Sequence, residues 1–431
     1  MEAFSIDRNN RLLSSFRSQQ LLNLRLSDIG WLVLANGLLF ENYLSSIFGA
    51  ANYFDEIGTV LLIFCALASC VSKSRNLNHV LTSWEYLSIA LIVGYITIGL
   101  VSNRLSNIQT SAMPIAIDVF SCIKYPLALL SGYYVFPNSK DLYRLLLREA
   151  KFLLALMLPF ALINQFIDIG MRFDFRYGLY SFHFIFGHPA SFAVIIVGFL
   201  VLLLADRNRN TLWVFLSWIY LVLSLRSTAI AFAAFSFLVW LATRKNKRIH
   251  FWQIAAFTLV ALYFGWSQIQ YYFFETDGSA RRKLFDVGIK VAIRYFPFGS
   301  GFATFGTNIT AQPEYYSTLY MQYGFSNVYG LSIDNPSYLS DSFWPIVFGQ
   351  FGWLGAILFG ASLLLLFLGC RNRLRTFNAS IVPFALSFSY MLIASFSSSA
   401  FFHPMGVFLG LITAVTVCHQ IQNGPEESLR K

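Results

Sequence analysis

Charge is scarce in this sequence: Asp, Glu, Lys and Arg make up 12% of 431 residues, against 56% hydrophobic residues. Soluble proteins carry about a quarter charged residues, so a soluble enzyme held by a single anchor is excluded. Cysteine is also rare. The five present (Cys65, Cys70, Cys122, Cys370 and Cys418) all fall in apolar runs or at their ends, not in a long polar loop. That pattern speaks against a disulfide framework or a zinc site and suits small apolar packing residues. GxSxG, Walker and DxD-like elements are missing, so a cytosolic nucleotide-dependent mechanism has no support. His183 and His188 lie five apart with no acidic or cysteine ligand at a compatible spacing. No metal site and no cofactor are therefore expected.

What the sequence has instead is apolar length. Runs such as VLLIFCALASCV and AFAAFSFLVWLA exceed the roughly ten alternating residues of a barrel strand, which leaves a helical bundle. At about 20 residues per span, roughly twelve spans are accommodated. They are expected near residues 29–49, 57–72, 84–102, 112–136, 151–170, 188–205, 211–225, 227–242, 251–270, 342–369, 378–397 and 404–419. The expected organisation is a cytoplasmic segment 1–28 and nine spans within 29–270, interrupted by an outer connection at 171–187. A large outer loop at 271–341, three spans within 342–419 and a cytoplasmic tail 420–431 follow.

The net charge of +10 would suggest nucleic acid in a soluble protein, but here position matters more than sum. On the expected cytoplasmic side stand 21 basic residues, including Lys73/Arg75, Arg144/Arg148/Lys151, Arg207/Arg209 and Arg371/Arg373/Arg375. These clusters recur at every second connection, which places both termini in the cytoplasm. The first 28 residues are polar, carry Arg8, Arg11, Arg17 and Arg25, and show no cleavage site, consistent with retention there.

Nine basic residues are expected on the outer side: Arg104, Arg172, Arg176, Arg226, Arg281, Arg282, Lys283, Lys290 and Arg294. Guanidinium groups bind phosphate oxygens bidentately, so this outward cluster suits an anionic ligand at the membrane surface. Pairing with Asp174, Glu275, Asp277 and Asp286, or contact with lipid headgroups, is the alternative. Arg226 stands between two apolar runs and needs a partner or a function. Glu41, Asp118 and Lys124 lie inside spans, where they suit either structural pairing or a proton-coupled transporter. His188-Pro189 reads as a helix start. The large loop holds many aromatics, among them Tyr271, Tyr295, Tyr316, Tyr320, Tyr329 and Tyr338, which suit sugar stacking or interface anchoring.

Taken together, several segments resemble the O-antigen polymerase (Wzy-type) and O-antigen ligase superfamily. Arg176 and Gly187 are separated by ten residues, as in the RX10G motif of the polymerases. LSLRSTAIAF around Arg226 looks like the family's Ser-Arg element, with Leu225 where Ser is common. Arg281 and Arg282, followed by FPFGSGFATFG with Gly299 and Gly301, look like its second-loop Arg and Gly-rich stretch. SDSFWPIVFGQFGWLG resembles the final element, with Gly352 and Gly355 as the glycine pair and Asp341 where ligases typically carry His.

The resemblance implies a GT-C-like, all-α polytopic membrane bundle with a long periplasmic loop in the inner membrane. It implies a metal-independent glycosyltransferase that polymerises undecaprenyl-pyrophosphate-linked oligosaccharide units. Arg176, Arg281 and Arg282 are then the expected catalytic residues, with Asp341 as general base. Arg226, Arg172, Arg294, Gly187, His188, Gly299 and Gly301 are expected to bind substrate. Membrane lipids and a chain-length-regulating membrane protein are the partners it implies, and nucleic acid is not. An O-antigen ligase acting on a lipid A core or a protein, and a flippase for the lipid-linked unit, are the alternatives.

Overall fold

The computed structural model describes residues 26–72, 81–137, 140–206, 209–243, 270 and 279–428. Fourteen α-helices occur among these residues, and the chain is an all-α membrane protein. In chain order they are α1 (Leu26–Leu39), α2 (Glu41–Ile47), α3 (Phe54–Ser72), α4 (Ser83–Ser106), α5 (Ala112–Val135), α6 (Lys140–Phe166) and α7 (Pro189–Ala205). There follow α8 (Thr211–Leu223), α9 (Ser227–Thr243), α10 (Ala280–Arg294), the short α11 (Thr318–Gln322), α12 (Phe343–Thr376), α13 (Val382–Ala394) and α14 (Pro404–Ser428). By length and composition, the segments Gly49–Val71, Ser83–Ser106, Ala112–Val135, Phe343–Thr376 and Pro404–Asn423 can each cross a membrane, and five shorter apolar helices accompany them. Eleven of the expected spans coincide with described helices. The span expected at 251–270 lies outside the described residues, Gln270 excepted.

Side-chain bonds between neighbouring helix ends show that the helices alternate in direction. At one end Glu85, near the start of α4, bonds Arg373 near the end of α12 at 2.6 Å. At that same end Tyr143, at the start of α6, bonds the Leu202 carbonyl near the end of α7 and stacks on His419 of α14. The opposite end gathers the outer connections. Segment 171–187 is a β-hairpin of β1 (Arg172–Arg176) and β2 (Leu179–Phe182), antiparallel, turning through Tyr177 and Gly178. The larger connection is likewise folded: Leu284, Val287 and Val291 of α10 form a small core with Phe305, Leu319, Tyr320, Phe325, Leu331 and Leu339. Tyr320 is fully buried there, and its hydroxyl accepts from the Gly306 N–H at 2.5 Å. Stacking on sugars therefore does not fall to Tyr320, whereas Tyr329 and Tyr338 remain exposed.

A break in α12 locks this loop to the bundle. Gly352 adopts φ 61°, ψ −165°, interrupting the helix and freeing backbone groups that have no water to turn to at that depth. The stretch 297–301 answers them. Ser300 N–H donates to the Gly349 carbonyl and Gly301 N–H to the Gln350 carbonyl, each at 2.9 Å, while Leu354 N–H donates to the Pro297 carbonyl at 3.2 Å. A Cβ on Gly299 would sit 2.3 Å from the Gly352 nitrogen, and one on Gly352 would sit 2.4 Å from the Pro297 oxygen. Both glycines also have positive φ, so close approach and backbone conformation impose glycine together.

Gly352→Ala is expected to cost about 2 kcal/mol or more through strain and overpacking. Gly360→Ala, on the same helix with nothing within 4 Å of a new Cβ, is expected to be neutral. Thermal unfolding of both variants in detergent checks this, and equal unfolding temperatures would remove the proposed role of the break.

Candidate functional site

The site begins with Arg226. Helix α8 ends at Leu223, and the chain turns through Leu225 at φ 50° before α9 begins at Ser227. That left-handed turn costs a non-glycine residue about 1 kcal/mol, and it projects Arg226 from between the helices toward the hairpin. Its side chain is 19% exposed, lies 3.9 Å from the Asp174 carboxylate and sits over the Phe173 ring at 5.2 Å. Arg176 holds the other oxygen of Asp174 at 2.7 Å. Two guanidinium groups thus share one carboxylate, which Ser181 also bonds at 2.7 Å.

His188 stands beside Arg226. It caps α7, where its Nδ1 accepts the Ala190 N–H at 3.1 Å. Its Nε2 lies 3.2 Å from the Arg226 guanidinium, in hydrogen-bond contact, so the imidazole holds that guanidinium in place. The sequence repeats this device: His403-Pro404 caps α14, with Nδ1 accepting the Met405 N–H at 3.2 Å. That second His-Pro pair was the signal that sequence reasoning passed over.

The other loop contributes Arg281 and Asp341. Arg281 reaches Asp341 at 3.1 Å and the Ser397 carbonyl at 3.3 Å. Their geometry follows from α10 packing against the start of α12, where Gly288 lets Pro345 approach. Burial pushes the Asp341 carboxyl above the usual range, against the pull of Arg281 and of Arg226. Arg226 therefore acts electrostatically on acids of both loops. Asp174 moves the other way: burial alone would raise it, but Ser181, Arg226 and Arg176 together hold it below the usual carboxylate range.

Not every expected residue joins the site. Arg282 lies on the exposed face of α10, 4.0 Å from Asp286. Arg294 is exposed and bonds Gln322 at 2.9 Å. Arg172 stacks on Tyr180 at 3.9 Å and donates to the Asn164 carbonyl, which supports the hairpin. Gly299 and Gly301 seat the broken helix, and Gly187 with φ 78° shapes the turn before His188. The intramembrane charges have local partners as well. Asp118 accepts from the Ala303 N–H and from Gln350 at 2.6 and 2.7 Å, and Lys124 pairs with Asp55 and Glu56. Among the described residues no cluster of His, Cys, Asp and Glu is arranged to hold a metal ion. No protein-family model and no curated protein matches the chain.

A depressed carboxyl contributes stability that is present above its unfolded pKa of about 3.9 and is lost as pH falls through the folded value. Asp174→Asn is accordingly expected to unfold at a lower temperature than wild type at pH 7, with the gap closing as pH drops below about 4. Unfolding temperatures measured from pH 7 to pH 3 check this; a gap independent of pH would exclude the ion-paired role.

Proposed function

We propose that this chain is a membrane glycan polymerase that joins undecaprenyl-pyrophosphate-linked oligosaccharide units, working in the inner membrane at its periplasmic face. One observation carries the reading: Arg176 and Arg226 converge on Asp174 of the first loop, while Arg281 of the second loop pairs with Asp341, a carboxyl that also feels the charge of Arg226. The segments that resemble the O-antigen polymerase superfamily include Arg176, Arg226 and Arg281, and the fold this reading implies is a GT-C-like bundle of about twelve spans.

In this reading the Arg226 guanidinium, positioned by His188, binds the donor's pyrophosphate, and Arg176 and Arg281 flank it. As the bond from the anomeric carbon to the pyrophosphate oxygen breaks, negative charge grows on that oxygen, and fixed guanidinium groups stabilise it without reorganising. Asp341 takes the proton of the acceptor hydroxyl as the new glycosidic bond forms. Its raised pKa makes it a stronger base than an ordinary carboxylate, and Arg281 keeps it oriented. Arg281 is preferred to Arg282 because Arg282 faces outward beside Asp286. The flippase reading loses ground because Asp118 and Lys124, two of the charges it needs, are bonded within the fold.

The test is a glycan ladder from cells lacking this gene and complemented with variants. Arg176→Ala, Arg226→Ala and Arg281→Ala are expected to yield single capped units without a ladder at normal protein levels, while Arg294→Ala keeps the ladder. Polymer that forms but stays on its lipid carrier would indicate a ligase, and loss of single units at the surface a flippase. Chain extension by the purified enzyme should also fall as pH is lowered, with its midpoint above the ordinary carboxylate value of about 4. A midpoint at or below that value would remove Asp341 as base.

A further inference from the structure

At the end opposite the arginine site, three arginines close helix α12, and they do not all face the same way. Arg373 turns inward, bonds the buried Glu85 at 2.6 Å and lies over Tyr133. Arg371 and Arg375, one helical turn apart, are exposed on the opposite face. Neither makes an ion pair with a described residue. With Asn372, Leu368 and Trp84 of α4 they line an open hollow of about 180 Å³.

Toward the middle of the bundle, beyond the hollow, α12 and α4 carry exposed apolar side chains. Residues 357, 364, 368, 371 and 375 share one face of α12 by their heptad spacing. On that face Ile357 and Leu364 are 66% and 57% exposed, and on α4 Trp84 and Leu87 are 44% and 48% exposed. The two helices meet closely beside it, since Gly94 admits Leu358 and Gly369 admits Glu85. The result is a doubly cationic hollow flanked by an indole, with exposed apolar side chains of both helices beyond it; together they make one groove.

We propose that this groove binds one anionic phospholipid, its phosphate held between Arg371 and Arg375 and an acyl chain lying along Leu364 and Leu87. Charge complementarity selects the headgroup, because two guanidinium groups that make no ion pair with a described residue meet a phosphodiester that carries negative charge. Asn372 and the Trp84 indole N–H are neutral donors at the level of the glycerol backbone, where indoles favour the interface. Bound there, the lipid would bridge α4 and α12, the two helices that the Gly352 break and its loop hold together at the other end. The proposal concerns a lipid neighbour of the fold and is independent of the reaction performed at the arginine site.

Native mass spectrometry of the purified full chain, titrated with phosphatidylglycerol or phosphatidylcholine, tests it. Wild type is expected to retain one phosphatidylglycerol and no phosphatidylcholine. The double variant Arg371→Gln/Arg375→Gln should need about tenfold more phosphatidylglycerol for the same occupancy. A control double variant, Arg144→Gln/Arg148→Gln on α6, removes the same charge from the same end and should behave as wild type. Equal retention of phosphatidylcholine would reduce the groove to an apolar surface. Equal losses in both double variants would show diffuse surface electrostatics, and no loss in either would exclude the arginines; each of these results overturns the proposal. If the first double variant does not fold, the single variants Arg371→Gln and Arg375→Gln take its place and should each weaken retention in part.

Discussion

A helix that opens at membrane depth must have its carbonyl and amide groups answered by protein, and in this chain that requirement falls at Gly352. The answering segment is 297–301, delivered from a loop more than forty residues upstream, and two glycines with positive φ allow the two backbones to touch. Once seated, the segment is held from the other side as well. Asn103 of α4 bonds the Phe302 amide and carbonyl at 2.8 Å each, and the Asp118 carboxylate receives Ala303. An aspartate that would be costly alone in a bilayer is therefore a receptor for loop backbone.

The consequences extend to the charges. With 297–301 fixed, α10 lies against the start of α12, and Arg281 meets Asp341 where the loop re-enters the bundle. The hairpin places Asp174 and Arg176 beside Arg226, which follows the left-handed turn at Leu225. Cations gathered this closely repel one another unless acids or a ligand compensate. Asp174 serves Arg176 and Arg226 in this way, and Asp341 serves Arg281.

The helices were legible in the sequence because apolar length obeys a simple rule, and eleven of the stretches expected as spans overlap described helices. Arg176, Arg226 and Arg281 could be singled out because each stands where the surrounding pattern disfavours charge. What could not be read was partnership across distance. Nothing near Asp118 or Lys124 announces Ala303 or Asp55, since those contacts depend on how helices pack. Arg281 and Arg282 are adjacent and chemically alike; only the rotation of α10 distinguishes the one facing Asp341 from the one facing Asp286. The hairpin at 172–182 and the small core of the larger loop leave no mark in the sequence, because a five-residue strand and a nine-residue core are too short to show a periodicity. Tyr320, expected at the surface with the other loop aromatics, instead became the centre of that small core.

The central claim is that arginines from two loops form one anion site joined through Arg226. Binding of a short isoprenyl pyrophosphate to the purified protein, measured for Arg176→Ala, Arg281→Ala, Arg226→Ala and their pairwise combinations, tests it most directly. If the site is single, Arg226→Ala weakens binding at least about tenfold, and adding either second substitution costs clearly less than that substitution costs alone. Strictly additive losses would mean that Arg176 and Arg281 serve separate sites, and unchanged binding in Arg226→Ala would contradict the account outright.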